Sequence, residues 1–115
     1  MSYIVTPFEV SSKALGEPVK CRFVHLFAGI ATRHRDSVDC QFLVNGQRVL
    51  VSISCATLAE LRQQDHQVFS DQQLAEIAAE YLRRTLESGY DAAMTELYIG
   101  GEELRALARE GQGNG

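Results

Sequence analysis

The chain has 115 residues, 45% of them hydrophobic, and sets 11 Lys and Arg against 15 Asp and Glu for a net charge of −4. That length supports one domain with a sizeable core, without disulfides or metal to hold it. No apolar run approaches the roughly 18–20 residues of a membrane span, and MSYIVTPFEV has no basic region and contains Glu9, which argues against a secretory signal and predicts a cytoplasmic protein with no membrane partner.

Tyr3-Ile4-Val5 is the first strand candidate, and Pro7 marks it as an edge. Ser11 to Pro18 reads as turn, with Gly16 and Pro18 as punctuation. From Val19 to Phe27 the residues alternate. Val19, Cys21, Phe23, His25 and Phe27 share one side, predicted to face inward. Lys20, Arg22, Val24 and Leu26 share the other, a half-basic, half-apolar face that suggests cover on both sides at the far end. Ala28 to Ser37 breaks the pattern and reads as loop.

Val38 to Ile53, VDCQFLVNGQRVLVSI, is the strongest local signal. Asn45-Gly46 is the preferred pair for a two-residue type I′ turn between two alternating runs. That loop sets Phe42 opposite Val49, Cys40 opposite Val51 and Val38 opposite Ile53, all on one face, and leaves Asp39, Gln41, Leu43, Arg48, Leu50 and Ser52 on the other. Turn and hydrophobic pattern agree on the register independently.

Ser54 can cap a short helix from Cys55 to about Gln64, burying Leu58 and Leu61. The clearest helix is Asp71 to Ser88. Ser70 and Gln73 make a capping box, and Leu74, Ile77, Ala78, Tyr81, Leu82, Thr85 and Leu86 form one stripe at helical spacing. Gly89 is its natural stop. Thr95 to Ile99 is a short strand, and Glu102 to Arg109 a terminal helix turning Leu104 and Leu107 inward. The predicted fold is α+β: an antiparallel sheet of three to five strands with the Asn-Gly hairpin at its centre, packed on one main helix and one or two short ones. Residues 1–109 form the single domain and 110–115 a flexible tail.

Few residues point to chemistry. Cys21, Cys40 and Cys55 are widely spaced and read mainly as small buried hydrophobes in a reducing compartment. They assemble no metal set with the histidines, and no cofactor is expected. Cys55 is the candidate reactive thiol, because a helix N-terminus can favour the thiolate. His25 in its apolar register reads as an interior histidine. Gly100-Gly101 lacks the rest of a phosphate loop and is followed by two glutamates.

Charge is spread unevenly. Residues 1–48 hold six Lys and Arg against four Asp and Glu, a balance of +2, and residues 49–115 hold five against eleven, a balance of −6. Arg33, His34 and Arg35 on the loop, with Arg48 and the strand cations Lys20 and Arg22, are the candidate binding group for phosphate or an acidic partner. With Phe23, Phe27 and Phe42 all predicted inward, the aromatic companions of a single-strand surface are missing. Leu43 and Leu50, beside Val24 and Leu26, are the candidate interface, left open if a single helix layer covers the sheet. Either residues 1–18 fold back over them or a second copy does.

From Val44 to Leu104 the order of signals, VNGQRVLVSIS, ATLAEL, IAAEYL, Gly89 and ELYI before a short helix, resembles the small bacterial family catalogued as domain of unknown function 1488. The resemblance covers about half the chain and implies a small bacterial α+β domain. It brings no catalytic residue. The leading expectation is a non-catalytic, self-associating interaction or regulatory module, most simply a homodimer. A nucleic-acid-associated protein using the basic half is the first alternative, and a thiol-dependent enzyme or redox sensor at Cys55 the second.

Overall fold

The computed structural model describes residues 7–11, 18–28, 36–66, 68–88 and 95–113. Five strands, Phe8–Ser11 (β1), Pro18–Ala28 (β2), Ser37–Val44 (β3), Gln47–Ser54 (β4) and Glu96–Ile99 (β5), lie side by side in chain order in one sheet. Helices Cys55–Gln64 (α1) and Asp71–Ser88 (α2) come between β4 and β5, and Gly101–Gly113 (α3) follows β5. The fold is α+β, with one main helix and two shorter ones. Neighbours from β1 to β4 are antiparallel, but β5 runs parallel to β4. A parallel neighbour requires a crossover of about a dozen residues or more, and α1 with α2 provides it.

The hairpin has the predicted register throughout, with Val38 opposite Ile53, Cys40 opposite Val51 and Phe42 opposite Val49. Asn45 and Gly46 take φ of 50° and 84°, the left-handed pair that a type I′ turn needs. The turn is also tied sideways to β2. The Asn45 amide donates to the Lys20 carbonyl at 2.8 Å, and the Lys20 amide donates to Asn45 Oδ1 at 2.9 Å.

One strand departs from simple alternation. β2 pairs with β3 as Arg22 opposite Leu43 and Phe23 opposite Phe42, then resumes as His25 opposite Gln41, Leu26 opposite Cys40 and Phe27 opposite Asp39. Val24 is the extra residue of a β-bulge, which reverses the facing of everything after it. Leu26 therefore packs on the core, and His25 and Phe27, expected inside, lie on the opposite face. Val24 itself is 38% exposed.

α2 has the predicted bounds, and Gly89, its expected stop, lies outside the described residues. Ser70 Oγ accepts from the Gln73 amide at 3.1 Å, and Gln73 Oε1 accepts from the Ser70 amide at 2.8 Å, a complete capping box. Leu74, Ile77, Ala78, Leu82 and Leu86 are buried against the sheet face that holds Val19, Cys40, Phe42, Val51 and Ile53. On the outer side Glu80 is bonded by both Arg83 and Arg84. Leu61 of α1 and Leu104 and Leu107 of α3 join the same core, so the three described helices cover one face.

The ends differ from expectation. The candidate strand Tyr3-Ile4-Val5 lies outside the described residues, and β1 starts at Phe8 instead, antiparallel to the first part of β2. The described part of the N-terminal segment is thus an edge strand in the plane of the sheet, with Val10 in the core. α3 continues past Arg109 to Gly113, into the segment expected as a tail. No described helix is long and apolar enough to cross a membrane.

Candidate functional site

The β4–α1 junction places Cys55 at the first position of its helix, as expected. Ser54 Oγ caps the helix by accepting from the Ala56 amide at 3.1 Å, and the Cys55 amide donates to the Asp36 carbonyl at 3.0 Å. The surroundings of the sulfur oppose a thiolate. Partial burial pushes the thiol up, and a side-chain hydrogen bond to Asp36 with the charges of Asp36 and Asp39 pushes it the same way. A helix N-terminus is worth only a fraction of a kcal/mol to about one on an exposed charge, so two carboxylates at the site outweigh it. Cys40 is pushed up to about 12 by burial, then by Asp39 and Asp71, and Cys21 to about 11 by burial. Cys21, Cys40 and Cys55 are all unpaired thiols. Cys55 opens onto a shallow groove of about 620 Å³ with Leu58, Arg62, Phe69 and the exposed Val68. Among the described residues no group of His, Cys, Asp and Glu has a geometry that could hold a metal.

The second candidate is the face of the sheet that the helices leave open. Its side chains follow from the strand registers as rows running across the sheet. Arg22, Leu43 and Arg48 make one row. His25, Gln41, Leu50 and Glu96 make the next, and Phe27, Asp39, Ser52 and Tyr98 the third. Lys20, Arg22, His25 and Arg48 are exposed, and Leu43 and Leu50 are half-buried. Tyr98 is 52% exposed, and its hydroxyl donates to Glu96. The His25 and Phe27 rings lie 5.0 Å apart, tilted by 46°.

A polar knot sits in the third row. Asp39 is fully buried and accepts from Ser37 Oγ at 2.9 Å and from Ser52 Oγ at 2.6 Å. Hydroxyl donors on a buried carboxylate offset part of its desolvation. This knot spans β3 and β4, and with Asp39 and Ser52 both buried the middle of the third row is closed to solvent, leaving Tyr98 and half-buried Phe27 at its two ends.

Of the residues singled out from sequence, Arg48, Leu43 and Leu50 come together on the open face with Arg22. Arg33, His34 and Arg35 lie outside the described residues. Leu26 leaves the expected apolar patch for the core, and Phe27 and His25 replace it. Tyr98, Phe27 and the Asp39 knot were not anticipated. A signal for the bulge was present: along Lys20, Arg22, Val24 and Leu26 the supposed outer face changes from charged to apolar midway, as a shift of phase produces. No family model, curated protein or solved structure matches the chain, so the likeness of Val44 to Leu104 to a known family is carried by its sequence motifs alone.

Proposed function

We propose that the protein is a non-catalytic interaction module whose working surface is the sheet face opposite the described helices. The observation that supports this reading is the sidedness of the fold. The three described helices pack on one face, and the other presents exposed Tyr98, half-buried Leu43 and Leu50, and exposed cations around the buried Asp39 and Ser52. Apolar groups grouped with charges on an open face are the usual mark of a binding surface. The thiol reading loses support, because partial burial, and then Asp36 and Asp39, push the Cys55 thiol up. Three unpaired thiols suit a reducing, cytoplasmic setting. Co-purification of the full tagged chain from its host tests the reading. The variant Arg22→Glu with Leu50→Arg is expected to lose whatever accompanies the wild type, and Cys55→Ala to keep it. The opposite pattern would move the working site to the α1 junction.

Leu43 and Leu50 favour a second reading, self-association through the same face. Sedimentation would show a dimer that Leu50→Arg dissociates and that Glu76→Arg, on the exposed side of α2, leaves intact. A monomer at high micromolar concentration rejects it.

A further inference from the structure

We infer that the sheet face opposite the described helices binds single-stranded nucleic acid, with Lys20, Arg22 and Arg48 on the phosphates and His25, Phe27 and Tyr98 against the bases. The inference deepens the open-face reading and rests on it. It starts from the bulge at Val24. Only because β2 shifts phase there do an aromatic and an imidazole ring join the cations on this side of the sheet.

The spacing suits an extended strand. Arg22 and Arg48 flank Leu43 from neighbouring strands, two strand spacings or about 10 Å apart. Lys20 lies two residues along β2, about 7 Å from Arg22. Phe27 and Tyr98 stand at the two ends of one row, three strand spacings or about 14 Å apart. Leu43 to Asp39, four residues of β3, separates the cation row from the aromatic row by about 13 Å, a length that a few nucleotides cover. Cations that track a backbone beside rings that accept bases are the two components of single-strand binding. A sheet face with aromatics selects unstacked bases over a duplex, whose bases are hidden in the stack.

Two carboxylates border the surface. Glu9 is the cross-strand neighbour of Lys20, and Glu96 is engaged by the Tyr98 hydroxyl. The buried Asp39 is enclosed by Ser37 and Ser52. The net charge of −4 does not oppose binding here. Most of the acidic excess is on the helices, a layer about 10 Å behind the sheet and so about one Debye length away. A second copy is the weaker occupant. A two-fold contact centred on Leu43 would set the Arg22 and Arg48 row of one copy against the same row of the other, a like-charge contact.

The test is fluorescence anisotropy of the full chain with labelled oligo-uridine and oligo-deoxythymidine of about 12 nucleotides. With three phosphate contacts, raising salt from about 50 to about 200 mM is expected to weaken binding about 20-fold. Arg22→Glu and Arg48→Glu are expected to weaken it about fivefold or more, as are Phe27→Ala and Tyr98→Ala through lost stacking. Arg109→Glu, an equal charge change on α3, leaves it unchanged, and a duplex of the same length binds more weakly. RNA-only or DNA-only binding identifies the sugar and supports the inference either way. No binding by wild type at about 100 μM protein overturns it, as does binding lost equally in Arg109→Glu. If oligonucleotide fails while the face variant still loses its co-purifying partner, the open-face reading stands and this inference alone falls. Unfolding midpoints of each variant separate lost contacts from lost fold.

Discussion

The bulge at Val24 decides which residues of β2 reach the open face, and a pair of alanine substitutions tests it directly. Leu26 packs against the core while Phe27 lies on the opposite side. Leu26→Ala removes three carbons from a mostly buried site. At about 0.8 kcal/mol per buried methylene, with a small cavity term because Leu26 is partly exposed, the cost is about 2 kcal/mol. Phe27→Ala on the open face is expected to cost about 1 kcal/mol or less, since its ring contacts His25 and gives up little core packing. In urea, a slope of about 1–3 kcal/mol per molar turns the Leu26 loss into a midpoint shift of about 1 M. A third variant sharpens the test. Deleting Val24 leaves Arg22, His25 and Phe27 outside and Phe23 and Leu26 inside in plain alternation, with the downstream register unchanged. That deletion should fold and unfold cooperatively within about 1 kcal/mol of wild type. If Phe27→Ala instead costs about 3–5 kcal/mol and Leu26→Ala almost nothing, β2 runs without a bulge. The open face then has neither His25 nor Phe27, and the stacking surface proposed for it disappears.

At the turn, a side chain on Gly46 would have nothing within 4 Å to meet, so Gly46→Ala should cost only the strain of φ 84°, about 1–2 kcal/mol by urea denaturation; a neutral result would mean the turn relaxes to another type. Cys40 bears on pH dependence. Its thiol is raised from 9.0 to about 12 in the fold, so above about pH 9 the unfolded chain gives up a proton that the folded chain keeps, and stability falls as pH rises toward 12. Cys40→Ala should flatten that fall in urea midpoints taken between about pH 8 and pH 10; an unchanged slope would place the alkaline sensitivity elsewhere.

The parts of this fold legible in the sequence are those whose cause is local. Asn45-Gly46 specifies a turn by backbone preference alone, and alternation on both flanks specifies the register. Ser70 and Gln73 cap α2 through bonds three residues apart, so its start follows from a tetrapeptide. The parts that were not legible depend on distant partners. β1 is four residues long, and its two inward side chains, Phe8 and Val10, set no period; pairing with β2 makes it a strand. The direction of β5 follows from the crossover, not from ELYI itself. The bulge takes one ordinary valine, without the glycine that often marks such a site. At Cys55 the helix position was legible and its consequence was not, because Asp36 and Asp39 reach it from β3 and the residue before it, 19 and 16 positions away in sequence. Leu43, Leu50 and Arg48 were placed correctly by hairpin register alone; their neighbours Phe27 and Tyr98 required the whole sheet.

Topology turns the uneven charge of the chain into a polarity of the molecule. The +2 half, residues 1–48, builds β1 to β3 and the turn, and contributes every cation on the open face. The −6 half builds the helices, and inserting α1 and α2 between two adjacent parallel strands forces both onto one side of the sheet. α3 follows β5 onto the same side. The arginines already counted in that balance sit beside carboxylates, Arg83 on Glu80 and Glu87 and Arg105 on Asp65. Glu60, Glu76, Glu102 and Glu103 on the helices are exposed, while Glu96 lies on the opposite sheet face. An anionic chain approaching at low salt is repelled from the helices and meets the sheet first, so the fold orients the encounter before any contact forms. Added salt shortens the range of this field below the thickness of the molecule, and under the proposed binding what would remain is the contact of Lys20, Arg22 and Arg48 with phosphate and of the rings with bases. For the binding proposed above, the polarity would govern how fast such a partner arrives, and the bulge at Val24 whether His25 and Phe27 join Tyr98 in stacking on it.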